Sequence, residues 1–324
     1  MQATYLIFGG TGSLGKALID TLFTSNAGLK GRVAVFSRDE SKHHKLKLKY
    51  PDIISIVGDV RDYNAVRDAF FSCCPRFVIQ AAAMKQVPLC EENPHEAILT
   101  NIIGSENVAK VSAEYSRIYP TRRIKILSIS TDKSCKPVNL YGMTKAIQER
   151  IHLKGNNGKS NIHNCVRYGN VLESTGSVIP IFKERINSDL NLNVTHNQMT
   201  RFLLSLAEAV DLIFKALNDE DGGKIFIPKI KSAKIYDVAE MLIKVSGKKL
   251  QIVETGIRPG EKIHEILISE EELTRTEDSG DVYIVHDIFS TKSFTSSPQK
   301  EYSSEDDLLD LGEIEEFLRK KHVI

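Results

Sequence analysis

Tyr141 and Lys145 stand four residues apart in STDKSCKPVNLYGMTK (130–145), with an acid and a second amine, Asp132 and Lys133, just upstream. Four residues place the tyrosine and lysine on one face of a helix. A phenol titrates at about 10 and is a poor base until positive charge lies beside it. A neighbouring ammonium, or another fixed positive charge, would lower its pKa enough for it to take a proton from a hydroxyl. The Asp-Lys pair is less decided. Its residue types fit an acid and a base working side by side, and equally a surface ion pair at a strand end.

Such side chains need a scaffold, and the chain supplies a rhythm of strands and helices. TYLIFGG (4–10), RVAVFS (32–37), IISIVGD (53–59), FVIQAAA (77–83) and IKILSIS (124–130) are short, β-branched and almost continuously apolar. Such runs suit strands buried on both faces of a parallel sheet. Between them the apolar spacing predicts helices over Leu14–Phe23, Tyr63–Phe71, Ala97–Tyr115 and Tyr141–Leu153. The β-α-β-α order implies an α/β fold with a doubly wound parallel sheet. Further strands are expected at HNCVRYGNV (163–171) and KIFIPK (224–229), and a helix at Leu206–Leu217.

After Val171 the rhythm breaks into Pro- and Asn-rich punctuation around SVIPIFKERI. A later part contains KSAKIYDVAEMLIKVSG, the strand KLQIVET and the loop GIRPGEK, and GEIEEFLRKK closes the chain as a helix. Ser290–Asp307 is polar and poorly patterned, and irregular structure is expected there. Residues 1–171 with about 206–230 are expected to form the cofactor-binding domain. About 172–205 with 231–324 would form a smaller interleaved lobe.

Gly9-Gly10-Thr11-Gly12-Ser13-Leu14-Gly15 lies between the first strand and the first helix. Gly10, Gly12 and Gly15 fit G-x-G-x-x-G, and Gly9, Gly12 and Gly15 fit G-x-x-G-x-x-G. Glycines there let backbone N–H groups and a helix N-terminus approach a pyrophosphate, so this loop is expected to bind a dinucleotide. The second strand ends Phe36-Ser37-Arg38, with Lys42 close behind, where an NAD enzyme tends to carry an acid. A hydroxyl and a guanidinium suit a ribose 2′-phosphate, which favours NADP. Asp39 and Glu40 argue the other way, but they fall where a helix N-terminus would welcome acids. Asp59-Val60 at the third strand end and Ala81 after the fourth complete the expected cofactor contacts.

Composition narrows the class. A 324-residue chain with a net charge of +1 has no global field for nucleic acid or an anionic membrane. No run reaches the roughly 18 apolar residues of a span, so a cytoplasmic protein is expected. The five cysteines include no C-x-x-C pair, which leaves no metal site and points to reduced thiols. Cys135 is a candidate reactive thiol by position alone.

Taken together, the glycine loop and YGMTK resemble the extended short-chain dehydrogenase/reductases. AAAMKQVPLCEENPHEAILTNIIGSENV, STDKSCKPVNLYGMTK, VRYGNVLESTGSVIP, MTRF and IRPGEKIHE more specifically resemble the inverting UDP-N-acetylglucosamine 4,6-dehydratases of bacterial surface-sugar pathways. The resemblance spans roughly residues 5–270. It implies that Tyr141, held by Lys145, takes the sugar 4-OH proton as hydride leaves C4 for NADP. The 4-ketone acidifies the C5 proton, which a base removes while an acid helps the 6-OH leave as water. Hydride then returns to C6, and reprotonation on the opposite face inverts C5.

The family's Asp-Lys positions fall on Asp132 as acid and Lys133 as base, the latter requiring a neutral amine of lowered pKa. Retaining 4,6-dehydratases carry a glutamate after the aspartate, so Lys133 discriminates. By the same resemblance Lys85 lies near cofactor and sugar, and Thr131 and Asn170 contact substrate. Arg201, Arg258 and Glu261 would hold the nucleotide diphosphate and its ribose. UDP-N-acetylglucosamine is the implied partner and a homo-oligomer the expected assembly. Cys90-Glu91-Glu92 departs from the family, where a small residue and an aromatic are expected. A 4-epimerase on the same sugar, or a non-catalytic NADP sensor, would share most of these residues.

Overall fold

β1 (Tyr5–Phe8) is buried at all four positions, and β5 (Ile124–Ile129) at all six. Strands so enclosed need helices on both faces, and the molecule provides them. The structure is a computed structural model in which residues 4–24, 32–172, 177–290, 292, 294 and 296–324 are described. With β2 (Val33–Ser37), β3 (Ile54–Val57), β4 (Phe77–Gln80) and β6 (Asn161–Val166), these strands build a nine-stranded sheet. Its order is 276–278, 282–286, 224–228, β6, β5, β4, β1, β2, β3. The seven strands from 224–228 to β3 are parallel, whereas 282–286 pairs antiparallel with 224–228 and 276–278 antiparallel with 282–286. The doubly wound α/β fold expected from the sequence is the fold observed.

Order reverses between β1 and β4, which opens a crevice at their carboxyl ends. One apolar cluster, including Ile7, Ile19, Val35 and Ile213, fills one face; another, including Phe8, Phe36, Phe70 and Tyr115, fills the other. The smaller lobe has its own core around Phe182, Leu192, Val238 and Ile314.

Four local differences from the sequence reading have physical causes. The strand expected over 163–171 ends at Val166; Asn170–Val171 instead joins a small sheet beside Thr200–Leu204. Thr276–Asp278 and Val282–His286, expected with the smaller lobe, extend the large sheet as a hairpin. Within the stretch expected to be irregular, Tyr302–Ser303 pairs with Ile266–Ile268, and the Tyr302 hydroxyl bonds the Ile230 main chain. Residues 291, 293 and 295 of that stretch, and 173–176 of VRYGNVLESTGSVIP, lie outside the described residues.

The helix expected over Ala97–Tyr115 begins at Pro94 and passes through a wide π turn, Ile98–Ile103, before Gly104–Ile118. The turn carries Asn101, fully buried, whose side chain accepts from Met84 N at 2.8 Å and donates to Met84 O at 2.9 Å and Thr144 Oγ1 at 3.0 Å. π turns concentrate at functional sites. This one ties the loop after β4 to the helix Leu140–Gly155, which carries Tyr141 and Lys145. No helix among the described residues is long and apolar enough to cross a membrane.

Candidate active site

A cavity of about 610 Å³ occupies the crevice. Of the residues read from the sequence, Gly9, Thr11, Gly12, Ser13, Leu14, Gly15, Ser37, Arg38, Lys42, Asp59, Val60 and Ala81 line one part. Lys85, Thr131, Lys133, Tyr141, Lys145, Asn170, Arg258 and Glu261 line the rest. Asp132 and Arg201 do not reach its surface.

The glycine loop fits a dinucleotide. Gly9 has φ +79°, and an added Cβ would stand 2.7 Å from Ala82 N, so only glycine allows the first turn. At Gly12, which lines the cavity, a Cβ would press on the Gly9 carbonyl oxygen at 3.3 Å, and glycine leaves the bare backbone open to a ligand. Orphaned polar atoms point the same way. Thr100 Oγ1, Asn170 Oδ1 and Ser177 Oγ are buried without a partner among the described residues, and all three residues line the cavity. A polar ligand would satisfy groups that are otherwise expensive to leave bare.

At the adenosine end, Ser37 Oγ lies 3.0 Å from Thr11 Oγ1 and 2.8 Å from His43 Nε2. Arg38 reaches no closer than 3.8 Å to Asp59 and is 58% exposed. Asp39 caps the helix Glu40–Lys49, accepting from Lys42 N at 3.0 Å, and pairs with Lys42 Nζ at 2.9 Å. Asp59 is held mainly by Arg61, at 2.6 Å.

Thr131 closes β5 and caps a one-turn helix, Asp132–Ser134, that presents the acid and amine. Asp132 is fully buried: Oδ1 accepts from Thr131 Oγ1 at 2.9 Å and Lys133 Nζ at 3.0 Å, while Oδ2 has no partner among the described residues. Burial works against a charged Lys133, but the Asp132 and Glu265 carboxylates outweigh it and hold the amine above its ordinary range. The sequence reading expected a lowered value; two flanking carboxylates reverse it.

Tyr141 also departs from expectation. Burial pushes its phenol up to about 12; Lys133 opposes that rise, Asp132 reinforces it, and a hydrogen bond with Thr131 opposes it. Lys145, by contrast, is lowered to about 8 by burial. Its Nζ donates to Ile129 O at 2.7 Å and Gln148 Oε1 at 2.9 Å.

Under this turn lies a buried network that the sequence did not disclose. Glu149 Oε1 accepts from Ser134 Oγ at 2.8 Å and from Ser130 Oγ. Arg167 donates to both oxygens of Glu149, to both oxygens of Glu272, and to Leu267 O, at 2.7–3.0 Å. All five guanidinium N–H groups are thereby used. Glu149 and Glu272 look like surface charges in a linear reading; only their depth reveals them.

Arg201, expected at the diphosphate, instead donates to Thr200 O and Ile263 O and lies 3.9 Å from Glu265, buried behind the cavity wall. Arg258 and Glu261 face the cavity and each other at 3.8 Å. Glu91, in the stretch that departs from the family, accepts from Leu140 N at 2.6 Å, at the start of the Tyr141 helix. Cys135 is 3% exposed and burial pushes its thiol up to about 12, which removes it as a reactive centre.

Residues 5–287 match the family described as polysaccharide biosynthesis protein. A UDP-glucose 4-epimerase of Rickettsia bellii is 38% identical over 337 residues, covering 98% of this chain and 96% of that protein. The solved structure of Pen from Bacillus thuringiensis superposes with a TM-score of 0.89 at 30% identity, covering 100% of this chain and 98% of that one. A UDP-glucose 4-epimerase of Thermus thermophilus, solved with NAD, shares the fold at a TM-score of 0.66 and 20% identity, covering 79% and 88%. With its glycine loop, Tyr-Lys pair and near full-length relatives in view, the chain belongs to the polysaccharide biosynthesis protein family, as a nucleotide-sugar-modifying enzyme of the short-chain dehydrogenase/reductase type.

Proposed function

We propose that the protein is an NADP-dependent UDP-N-acetylglucosamine 4,6-dehydratase that inverts C5. The observation that carries this reading is the Asp132–Lys133 pair, 3.0 Å apart, in the turn beside Tyr141 at the cavity. Bound NADP would supply the hydride acceptor for C4 and the donor for C6. With the positive charge of bound NADP beside it, the Tyr141 phenol would give up its own proton to solvent, and the phenolate then takes the 4-OH proton; the ketone that forms acidifies C5–H. Transfer of one proton across the 3.0 Å contact converts the ion pair into a neutral amine and a carboxylic acid. Lys133 then accepts the C5 proton, and Asp132, which lies behind the cavity surface, passes its proton through the Thr131 hydroxyl, 2.9 Å away and on the cavity wall, to the departing 6-OH, which leaves as water. That step restores the Asp132–Lys133 ion pair.

Incubation with UDP-N-acetylglucosamine in D₂O, followed by NMR, tests the assignment. A 4-keto-6-deoxy product with deuterium at C5 is expected; UDP-N-acetylgalactosamine alone would sink it. Lys133→Ala should still oxidise C4 but lose water about 10²–10⁴-fold more slowly. Deuterium entering C5 at the normal rate in that variant would remove Lys133 as base. The 4-epimerase reading is favoured by the similarity to the UDP-glucose 4-epimerase of Rickettsia bellii, and it leaves Asp132 and Lys133 without a task.

For the cofactor, exposed Arg38 beside Ser37, with Asp39 turned to its own helix, supports NADP over NAD. Arg38→Ala should weaken NADP binding roughly tenfold to a hundredfold and leave NAD nearly unchanged, read by fluorescence titration. Tighter binding of NAD than NADP by the unmodified protein would refute the assignment.

A further inference from the structure

Glu265, the last residue of IRPGEKIHE, has no role in the sequence reading, yet it is 2% exposed and touches Lys133. Its Oε1 lies 3.3 Å from Lys133 Nζ and 3.9 Å from Arg201 Nε, and its Oε2 lies 3.3 Å from Lys262 Nζ. The main chain fixes it further, since Glu265 N donates to Ser304 Oγ at 2.9 Å and Ser304 N to Glu265 O at 2.8 Å. The same segment grips the catalytic turn twice more. Asn139 Nδ2 donates to Gly260 O at 2.7 Å, and Lys262 Nζ donates to Cys135 O at 2.8 Å.

Residues 258–265 therefore show Arg258 and Glu261 to the cavity while clamping 133–139 from the side. The charged and titratable groups facing the Lys133 ammonium are Asp132 on its own turn, Glu265 from this segment, Arg201 from the strand Thr200–Leu204, and Tyr141 from the catalytic helix. Two carboxylates bracket one ammonium, and Arg201 opposes it.

We propose that Glu265 is a positioning residue for Lys133, bridging its ammonium to Arg201 and Lys262 so that the amine is fixed as a cation at the cavity wall, opposite Asp132. The bridge neutralises a buried carboxylate that would otherwise be prohibitive to ionise. Burial raises the Glu265 pKa, but Lys133, Arg201 and Lys262 together hold it down to about 2. For its kinetic consequence the inference rests on the dehydratase reading: Glu265 sets how readily Lys133 passes its proton to Asp132 before C5 is attacked. Its geometric content does not need a sugar.

Competitive acetylation of the full-length protein with acetic anhydride over a pH series, read by peptide mass spectrometry, tests it. In Glu265→Gln the Lys133 midpoint should fall, and each unit of fall raises its acetylation about tenfold at a fixed pH below the midpoint. If that variant does not fold, Glu265→Asp keeps the buried charge but retracts it, and the midpoint should fall by less. An unmoved midpoint in whichever variant folds overturns the proposal. A second readout separates it from the dehydratase reading. If UDP-N-acetylglucosamine gives deuterium at C5, the half-maximal pH of that exchange should move down in Glu265→Gln with KM little changed. If only the C4 epimer forms, the dehydratase reading falls and the acetylation midpoint still judges Glu265.

Discussion

Tyr141→Phe is expected to retain the fold and dinucleotide binding while turnover of the proposed substrate, UDP-N-acetylglucosamine, drops about 10²–10⁴-fold. The phenol is half-buried in the cavity wall, and its removal leaves the ring and its packing in place. What disappears is the cavity-lining phenol that shares a helix face with Lys145. The loss should fall on kcat, because the hydroxyl acts when the proton moves rather than when the nucleotide binds. With burial pushing its pKa up to about 12, the phenol stays protonated at neutral pH until positive charge comes beside it. The residual rate in the variant should therefore lack any rise with pH that the tyrosine confers on the unmodified enzyme. A loss smaller than tenfold, measured by coupled turnover or NMR, would remove Tyr141 from the proton transfer.

Arg167→Ala should lower unfolding stability by about 3–5 kcal/mol in urea titration. Arg167 is 2% exposed and lies between Glu149 and Glu272, both nearly as deep. Deleting it leaves two carboxylates facing each other with no cation between them. Arg167→Lys should not rescue, since one ammonium cannot supply five fixed N–H donors to four carboxylate oxygens and a carbonyl. By contrast, Arg319→Ala, which breaks an exposed pair with Glu315, should cost less than about 1 kcal/mol.

The sign of the pH dependence follows from Glu272. Burial would raise its pKa, but Arg167 foremost holds it down to about 2, below an unfolded value near 4.5. A depressed carboxylate contributes stability above the unfolded pKa and loses it as pH falls toward the folded one. The unmodified protein should therefore weaken between about pH 4.5 and pH 2, and Arg167→Ala should weaken at higher pH than that.

Much of the candidate site was legible because its residues are marked by short-range pattern. The glycine loop lies between a buried strand and a helix, Tyr141 and Lys145 share a helix face, and Asp132-Lys133 directly follow a strand end. Asn170, Arg258 and Glu261 were placed by resemblance and do line the cavity. Arg201 was misplaced because a sequence motif fixes which strand carries a residue, not which face the side chain takes. Glu149, Arg167, Glu265 and Glu272 were passed over because a charged residue is ordinarily at the surface. Nothing local marks one that is buried against a distant partner: Glu272 is 105 residues from Arg167, and even Glu149 is 18 residues from it. The 276–286 hairpin could have been found: Asp278-Ser279-Gly280-Asp281 is a turn signal before the β-branched run Val282–His286, and Gly280 takes φ +80°.

Arg167 has a consequence for the way the chain is made. Synthesis proceeds from the N-terminus at about 5–20 residues per second. β1 to β6 and Glu149 are therefore available well before Glu272 leaves the ribosome. Until then the guanidinium has half its anionic partners, and the edge of the sheet beside Lys224–Pro228 is open. The scaffold that holds the Asp132–Lys133 turn from beneath is thus completed late, by residues 272–286. Nascent chains shorter than that would carry the full glycine loop and every residue of the catalytic turn without the support that sets their geometry.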